Sequence, residues 1–225
     1  MRCALFRRTD ARIAGKPVVV KAGENFALLS IKPAQKAEAG RRNIVVKGEA
    51  RGTIEQYSRS IPLSFQAMAN GGKPRAPDKT TEFEAGVEFK YYEGAWEKLP
   101  DFDSLQAVKT GTSGTFAIDQ RGRDDGFGFK FSGFIDIKKD GVYTFYSKSD
   151  DGSRLLIGKD VLLNNDGLHA PEEESGQINL KAGKHAITVL FFEGSVGEEL
   201  VVSYEGPGVN KQAIPAGVLF HEKTK

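Results

Sequence analysis

The chain has 225 residues, with 32 Lys+Arg against 30 Asp+Glu and a single cysteine, Cys3. That length suits one large domain or two ordinary ones and is enough to bury a core without covalent staples. One cysteine excludes an internal disulfide framework, a multi-Cys zinc centre and an iron–sulfur cluster. No window approaches the roughly 20 apolar residues that a membrane-spanning helix needs.

The near-neutral total hides an asymmetry. Residues 1–80 hold 16 Lys+Arg and 6 Asp+Glu, whereas residues 81–225 hold 16 and 24, giving net charges of +10 and −8. Opposite charge in two halves predicts two modules with different surfaces. In the basic half Lys and Arg are scattered and aromatics sparse, so a solvated surface is expected and no nucleic-acid partner. The apolar run at the start, Cys3 to Phe6, is shorter than the 7–15 residues of a signal-peptide h-region, and arginines follow at once. No signal peptide is therefore expected in this chain.

Taken in order, Pro17–Val20, Phe26–Ile31, Ile44–Gly48 and Ile61–Phe65 read as short strands. They predict a smaller immunoglobulin-like β module over 1–68, incomplete at its front. Residues 69–82 have linker chemistry, with Pro and Gly and no apolar period. From Phe83 the chain is denser. Gly86–Glu93 reads as an aromatic strand, Trp96–Leu105 as a connection with a helical turn, and Gly114–Asp119 as a short strand. In Phe127–Ile137 the alternation of Phe127, Phe129 and Phe131 predicts a shared buried face, and Gly133 predicts a bulge. Phe134 and Phe145 are also assigned to the core. Asp140-Gly141 marks a hairpin leading to Val142–Ser147. Ser153–Ile157, Val161–Leu163, Gln177–Leu180, Ala186–Phe192 and Glu199–Tyr204 continue the series. Glu172–Glu174 reads as a solvated loop. The expected class is all-β, an antiparallel β-sandwich over 83–225.

Several separated motifs of this second part fall in one order. They are GVEFKYYEGAW (86–96), the F-x-G-x-I of residues 131–135, Tyr143-Thr144-Phe145, SDDGSRL (149–155), the L-x-A-G-x-H of residues 180–185, and a last strand with Tyr204. Over about residues 83–221 the chain resembles the protective-antigen-type (PA-fourteen) domain. The resemblance implies a non-catalytic, lectin-like β-sandwich of secreted or cell-surface proteins that binds a glycan or polysaccharide. In its calcium-dependent members two adjacent aspartates joined by a cis peptide hold Ca²⁺, and the ion takes sugar hydroxyls. The matching pair here is Asp150-Asp151. Those members add an Asn from a later loop, where this sequence places Glu193.

The chemistry of the pair can also be argued from the residues. Neighbouring carboxylates on an extended strand point to opposite faces, so both can hold one ion only where the backbone turns sharply. Ca²⁺ takes 6–8 hard oxygens, so further groups must join. Asn164, Asn165 and Asp166 form an oxygen-rich loop, and His169 follows it. Trp96, with Tyr91, Tyr92 and Phe192, offers a ring on which a sugar would stack. Against this stands the plainer reading of Asp-Asp-Gly as a turn, which Asp124–Gly126 also receives. No histidine pair has zinc spacing, and no nucleophile elbow or phosphate loop is present. Two functions therefore stand: a carbohydrate-binding module, or a structural and interaction domain beside a larger extracellular enzyme or adhesin. Catalysis by this chain ranks last.

Overall fold

A computed structural model describes residues 69–79 and 82–223, and before them the backbone of six strands. The chain divides into two compact units, Met1–Ala67 and Met68–Lys225. In the first, β1 (Arg2–Leu5), β3 (Val18–Val19), β5 (Gly40–Glu49) and β6 (Arg59–Ala67) form a four-stranded sheet in the order β3-β1-β5-β6. Strands β2 (Ile13–Ala14) and β4 (Lys32–Pro33) pair separately. The long strands β5 and β6 run antiparallel from Gly40↔Ala67 to Gly48↔Arg59. They contain the stretches expected at Ile44–Gly48 and Ile61–Phe65, whereas Phe26–Ile31 lies outside the described residues.

The second unit is a two-layer β-sandwich. Its strands are β7 (Phe83–Ala85), β8 (Val87–Glu93), β9 (Lys109–Ser113), β10 (Phe127–Ile137), β11 (Gly141–Asp150) and β12 (Ser153–Ile157). They continue with β13 (Asp160–Asn165), β14 (Glu172–Leu180), β15 (Gly183–Glu193), β16 (Glu199–Gly206), β17 (Val209–Ala213) and β18 (Leu219–Glu222). The larger sheet runs β13-β12-β15-β10-β18-β7, with β8 and β9 joined along β10; the smaller runs β14-β11-β16-β17. Side chains alternate in and out along a strand. Phe127, Phe129, Phe131, Ile187, Val189 and Phe191 of the larger sheet therefore meet Tyr143, Phe145, Ile178 and Val202 of the smaller in one core.

Gly133 carries no bulge. Its register with β15 is continuous through Gly133↔Ile187, and its role lies on the other edge, where β10 changes partner. Residues Phe127–Ser132 pair with β8, and Phe134 and Ile135 pair with β18. A Cβ at Gly133 would lie 2.5 Å from the Phe220 carbonyl and 2.8 Å from Val87 Cγ1. A glycine is required because two strand ends converge there.

Three more expectations shift. Phe134 leaves the core: it lies on the opposite face of β10, 5.1 Å centroid to centroid from Phe83. Gly114–Asp119 is not a strand; the pairing falls on Lys109–Ser113. Phe116 and Ile118 are nonetheless buried, so their alternation plugs the core without a ladder. Glu172–Glu174 is not a loop but the start of β14, with Glu173 opposite Lys148, where opposite charges on facing strands attract.

Residues 72–79, within the stretch of linker composition, are part of the second unit and are tied to its strands. Arg75 N–H donates to the Asn179 carbonyl at 2.8 Å, and Asp78 N–H to the Lys184 carbonyl at 2.8 Å.

Candidate functional site

Strand β11 ends at Asp150 and β12 begins at Ser153, so Asp150 and Asp151 occupy the corner where the chain crosses from the smaller sheet to the larger. The peptide between them is cis. Strand β15, the central strand of the larger sheet, ends at Glu193 beside them. Asp150, Asp151 and Glu193 are 9%, 5% and 0% exposed, and each offers a carboxylate oxygen within 4.8 Å of the others. At that separation and an effective dielectric of 20, each ionised pair repels by roughly 3 kcal/mol.

Polar groups support the trio unequally. Asp151 is satisfied on both oxygens: His169 N–H donates to Oδ1 at 2.8 Å and Gly194 N–H to Oδ2 at 2.9 Å. Glu193 has neither oxygen satisfied although both are buried. Burial, then the charges of Asp151 and Asp150, push its carboxyl up to about 8. Burial and the Asp151 charge raise Asp150 as well. A buried carboxylate without partners costs several kcal/mol, and a cation among the three would relieve both the repulsion and the orphaned oxygens.

Beneath the pair lies a buried hydroxyl network. Ser153 Oγ is 2.7 Å from Ser147 Oγ and 2.8 Å from Ser149 Oγ. The Asn165 amide donates to Ser149 Oγ at 3.1 Å and to the Glu172 carbonyl at 3.0 Å. These bonds tie β11, β12 and β13 together one residue below the carboxylates.

Asn164, Asn165 and Asp166 are engaged in holding loops. Asn164 Oδ1 accepts from Arg154 Nε at 2.6 Å. Asp166 accepts from Arg154 at 3.2 Å and from Leu99 N–H at 2.7 Å, which fixes the loop carrying Trp96. The His169 ring faces two carbonyls, Ala170 at 3.0 Å through Nδ1 and Asn165 at 3.1 Å through Nε2. Burial opposes its charging, but these two acceptors and the nearby carboxylates raise its pKa above the usual histidine value. Tyr91, Tyr92 and Phe192 are 2%, 2% and 0% exposed and offer no free ring. Trp96 is half-buried and packs edge-on against Phe102 at 6.0 Å.

The loop after β15 closes over the pair. A Cβ at Gly194 would lie 2.9 Å from Leu168 Cδ2 and 3.0 Å from Asp151 Oδ2, so only glycine lets the chain pass this close. Val196 follows with φ of 70°, an unusual conformation for a β-branched residue, and is 87% exposed. Asp125 Oδ1 accepts from Val196 N–H at 3.2 Å, and Gly126 N–H donates to the Gly194 carbonyl at 3.1 Å. The second Asp-Asp-Gly is thus a turn that anchors the site loop. Its sequence marks the turn, but only the fold shows what it holds. Arg121 pairs with Glu198 on the far side of the same loop.

Comparisons with known proteins agree on the fold. A family model described as the PA14 domain matches residues 86–217. The anti-sigma-I factor RsgI3 of Acetivibrio thermocellus is 25% identical over 142 residues, covering 60% of this chain and 21% of that protein. This chain therefore spans about a fifth of the curated relative it matches. An anti-sigma factor domain-containing protein of known structure is 22% identical with a TM-score of 0.54, covering 63% of this chain and 50% of the other. The PA14 sugar-binding domain from an RTX adhesin is 15% identical with a TM-score of 0.51, over 61% and 98%. The epithelial adhesin 9 A domain of Candida glabrata, solved with Galβ1-3GlcNAc, is 10% identical with a TM-score of 0.52, over 66% and 96%.

Proposed function

The chain belongs to the PA14 domain family, and on that premise we propose that its second unit is a non-catalytic, calcium-dependent carbohydrate-binding module acting at the cell surface or outside the cell. The observation that carries this reading is Glu193. A fully buried carboxylate with two orphaned oxygens, beside two more buried carboxylates, is an arrangement that a hard divalent cation relieves.

The residues present fit Ca²⁺. Three carboxylates supply three or more of its 6–8 oxygens, and their all-oxygen character disfavours softer metals. A bound Ca²⁺ would supply positive charge and open positions for the vicinal hydroxyls of a sugar. This chain's own residues do the rest. The Asp151 bonds to His169 and Gly194 hold its carboxylate in one orientation. The 194–197 loop, held by Asp125 and Gly126, forms one wall, and Leu168 and Val196 give apolar surface for the carbon face of a sugar ring. Glu193, in place of the amide found in the lectin members, makes the trio more negative, which favours tighter cation binding.

The likeness to anti-sigma factors supports a second setting, in which the same module reports an external glycan to a larger regulatory protein. Calorimetric titration with glycans, in Ca²⁺ and in EDTA, tests the common element. A Ca²⁺-dependent component of binding that EDTA and Asp151→Ala both remove is expected; binding without such a component refutes the calcium reading.

A further inference from the structure

The outer face of the smaller sheet carries a groove. Along β11 the odd-numbered residues Tyr143, Phe145, Ser147 and Ser149 are buried, which turns Val142, Thr144 and Tyr146 outward. The register sets Thr144 between Gln177 of β14 and Glu205 of β16. Pairing of β16 with β17 slips between Tyr204 and Gly206, where Asn210 and Lys211 of β17 together oppose Glu205, a bulge in β17. A bulge bends its strand and re-aims side chains. Here it accompanies β17 forming a wall along the sheet. Between that wall and Val142 lies a groove of about 340 Å³, floored by Thr144 and Gln177 and walled by Val209, Asn210 and Lys211.

The polar groups of this groove are held in place. Tyr146 OH donates to Glu205 Oε1 at 2.6 Å. Lys211 reaches from β17 across the sheet, with Nζ 3.9 Å from the Tyr146 ring centroid and 2.6 Å from Glu173 Oε1 on β14. Thr144 is 8% exposed although its face of the sheet points outward, which places it at the bottom. Carboxamides at Gln177 and Asn210 both donate and accept, Glu205 accepts and Lys211 donates. Such a mixture suits a neutral ligand whose every hydroxyl does both. An anion would meet Glu205, and a cation would meet Lys211. The volume is at the lower end for small-molecule sites, a size for one or two sugar rings, and Val142 and Val209 give apolar rims for their carbon faces.

We propose that this groove is a second saccharide subsite that needs no metal ion. It rests on the reading of the domain as glycan-binding, but not on the carboxylate trio. Thr144 and Asp150 stand six positions apart along β11, roughly 20 Å, so the two sites would engage different stretches of a polysaccharide. Joint engagement would raise avidity without tightening either site.

The test is amide chemical-shift mapping of the full chain in EDTA with cellotetraose, xylotetraose and lactose at millimolar concentration. At least one sugar is expected to shift residues 142–146, 175–179 and 205–211. The Gln177→Ala/Asn210→Ala variant, unchanged in melting temperature, should lose at least tenfold in affinity. Three results overturn the proposal: no shifts in these segments with any of the sugars, shifts undiminished in the double variant, or binding confined to Ca²⁺ and to residues around Asp150. The last leaves the calcium reading standing. Groove shifts in EDTA with no further effect of Ca²⁺ would support the groove and refute the calcium site.

Discussion

Replacing Glu193 by Gln separates the cation reading from the alternative that three carboxylates merely happen to crowd together. Burial holds this carboxyl at about 8 against an ordinary 4.5. A folded-state pKa above the unfolded one contributes stability that is fully present below about pH 4.5 and is lost as pH rises through about 8. At 1.36 kcal/mol per pH unit, ionising Glu193 at pH 8 without a cation costs on the order of 4 kcal/mol. Glutamine keeps the shape and removes the charge, but leaves a buried amide without partners at about 1–3 kcal/mol. The expected net gain for the cation-free variant at pH 8 is therefore about 1–3 kcal/mol, or roughly 3–10 °C in melting temperature for a domain of this size. Calcium should act in the opposite sense. At a hundredfold excess over Kd it stabilises the wild type by about 2.7 kcal/mol, and the variant, with one negative charge fewer, should gain less at the same concentration. Thermal melts of both proteins at pH 8, in EDTA and in calcium, read all four values. The reasoning fails if the variant melts below wild type in EDTA, or if both gain equally from calcium.

Other predictions bear on positioning and packing. Gly194→Ala would bring a methyl within 3.0 Å of Leu168 and Asp151; glycan affinity in calcium should fall tenfold or more by calorimetry, with a small change in melting temperature. Gly133→Ala sets a Cβ against the Phe220 backbone, and urea denaturation should show a loss of about 1–3 kcal/mol. His185 is fully buried, 2.7 Å from Arg75 Nη1 through Nδ1 and 2.7 Å from the Lys181 carbonyl through Nε2. Burial, reinforced by the Arg75 charge, lowers its pKa, so its contribution is present above about pH 6.5 and lost as pH falls below it. His169, raised, acts in the opposite direction, so the measurement is a difference: His185→Gln should lose less melting temperature than wild type between pH 7 and pH 5. An equal loss in the two would refute the assignment.

Much of the sandwich could be read along the chain because its strands obey a local rule. Phe127–Ile137 and Ser153–Ile157 appear with the expected bounds, since alternation and flanking turns are properties of neighbouring residues. Local alternation does not mark strands β7, β9, β17 and β18. They are short or polar, and they exist because a longer strand offers its edge. Phe116 and Ile118 show the converse: alternation without a partner strand buries side chains but makes no ladder. Among site residues, the adjacency of Asp150 and Asp151 was visible directly. Asn164, Asn165 and Asp166 look equally rich in oxygen, but sequence carries no record of which side-chain groups are already bonded, and here Arg154, Ser149 and Leu99 engage these side chains.

The charge asymmetry between the two halves belongs to the sequence alone, as do the all-β class, the strand-rich second part and the Asp-Asp pair. These depend on composition and on spacings of a few residues. Tertiary structure decided that Glu193, 42 positions beyond Asp151, closes the trio, that Asp125 steadies the loop above it, and that a slip in one strand pairing accompanies a groove on the smaller sheet. Each of these depends on which strands become neighbours. That is settled by burying both sheet faces in one core, a condition on the whole chain that no local pattern contains.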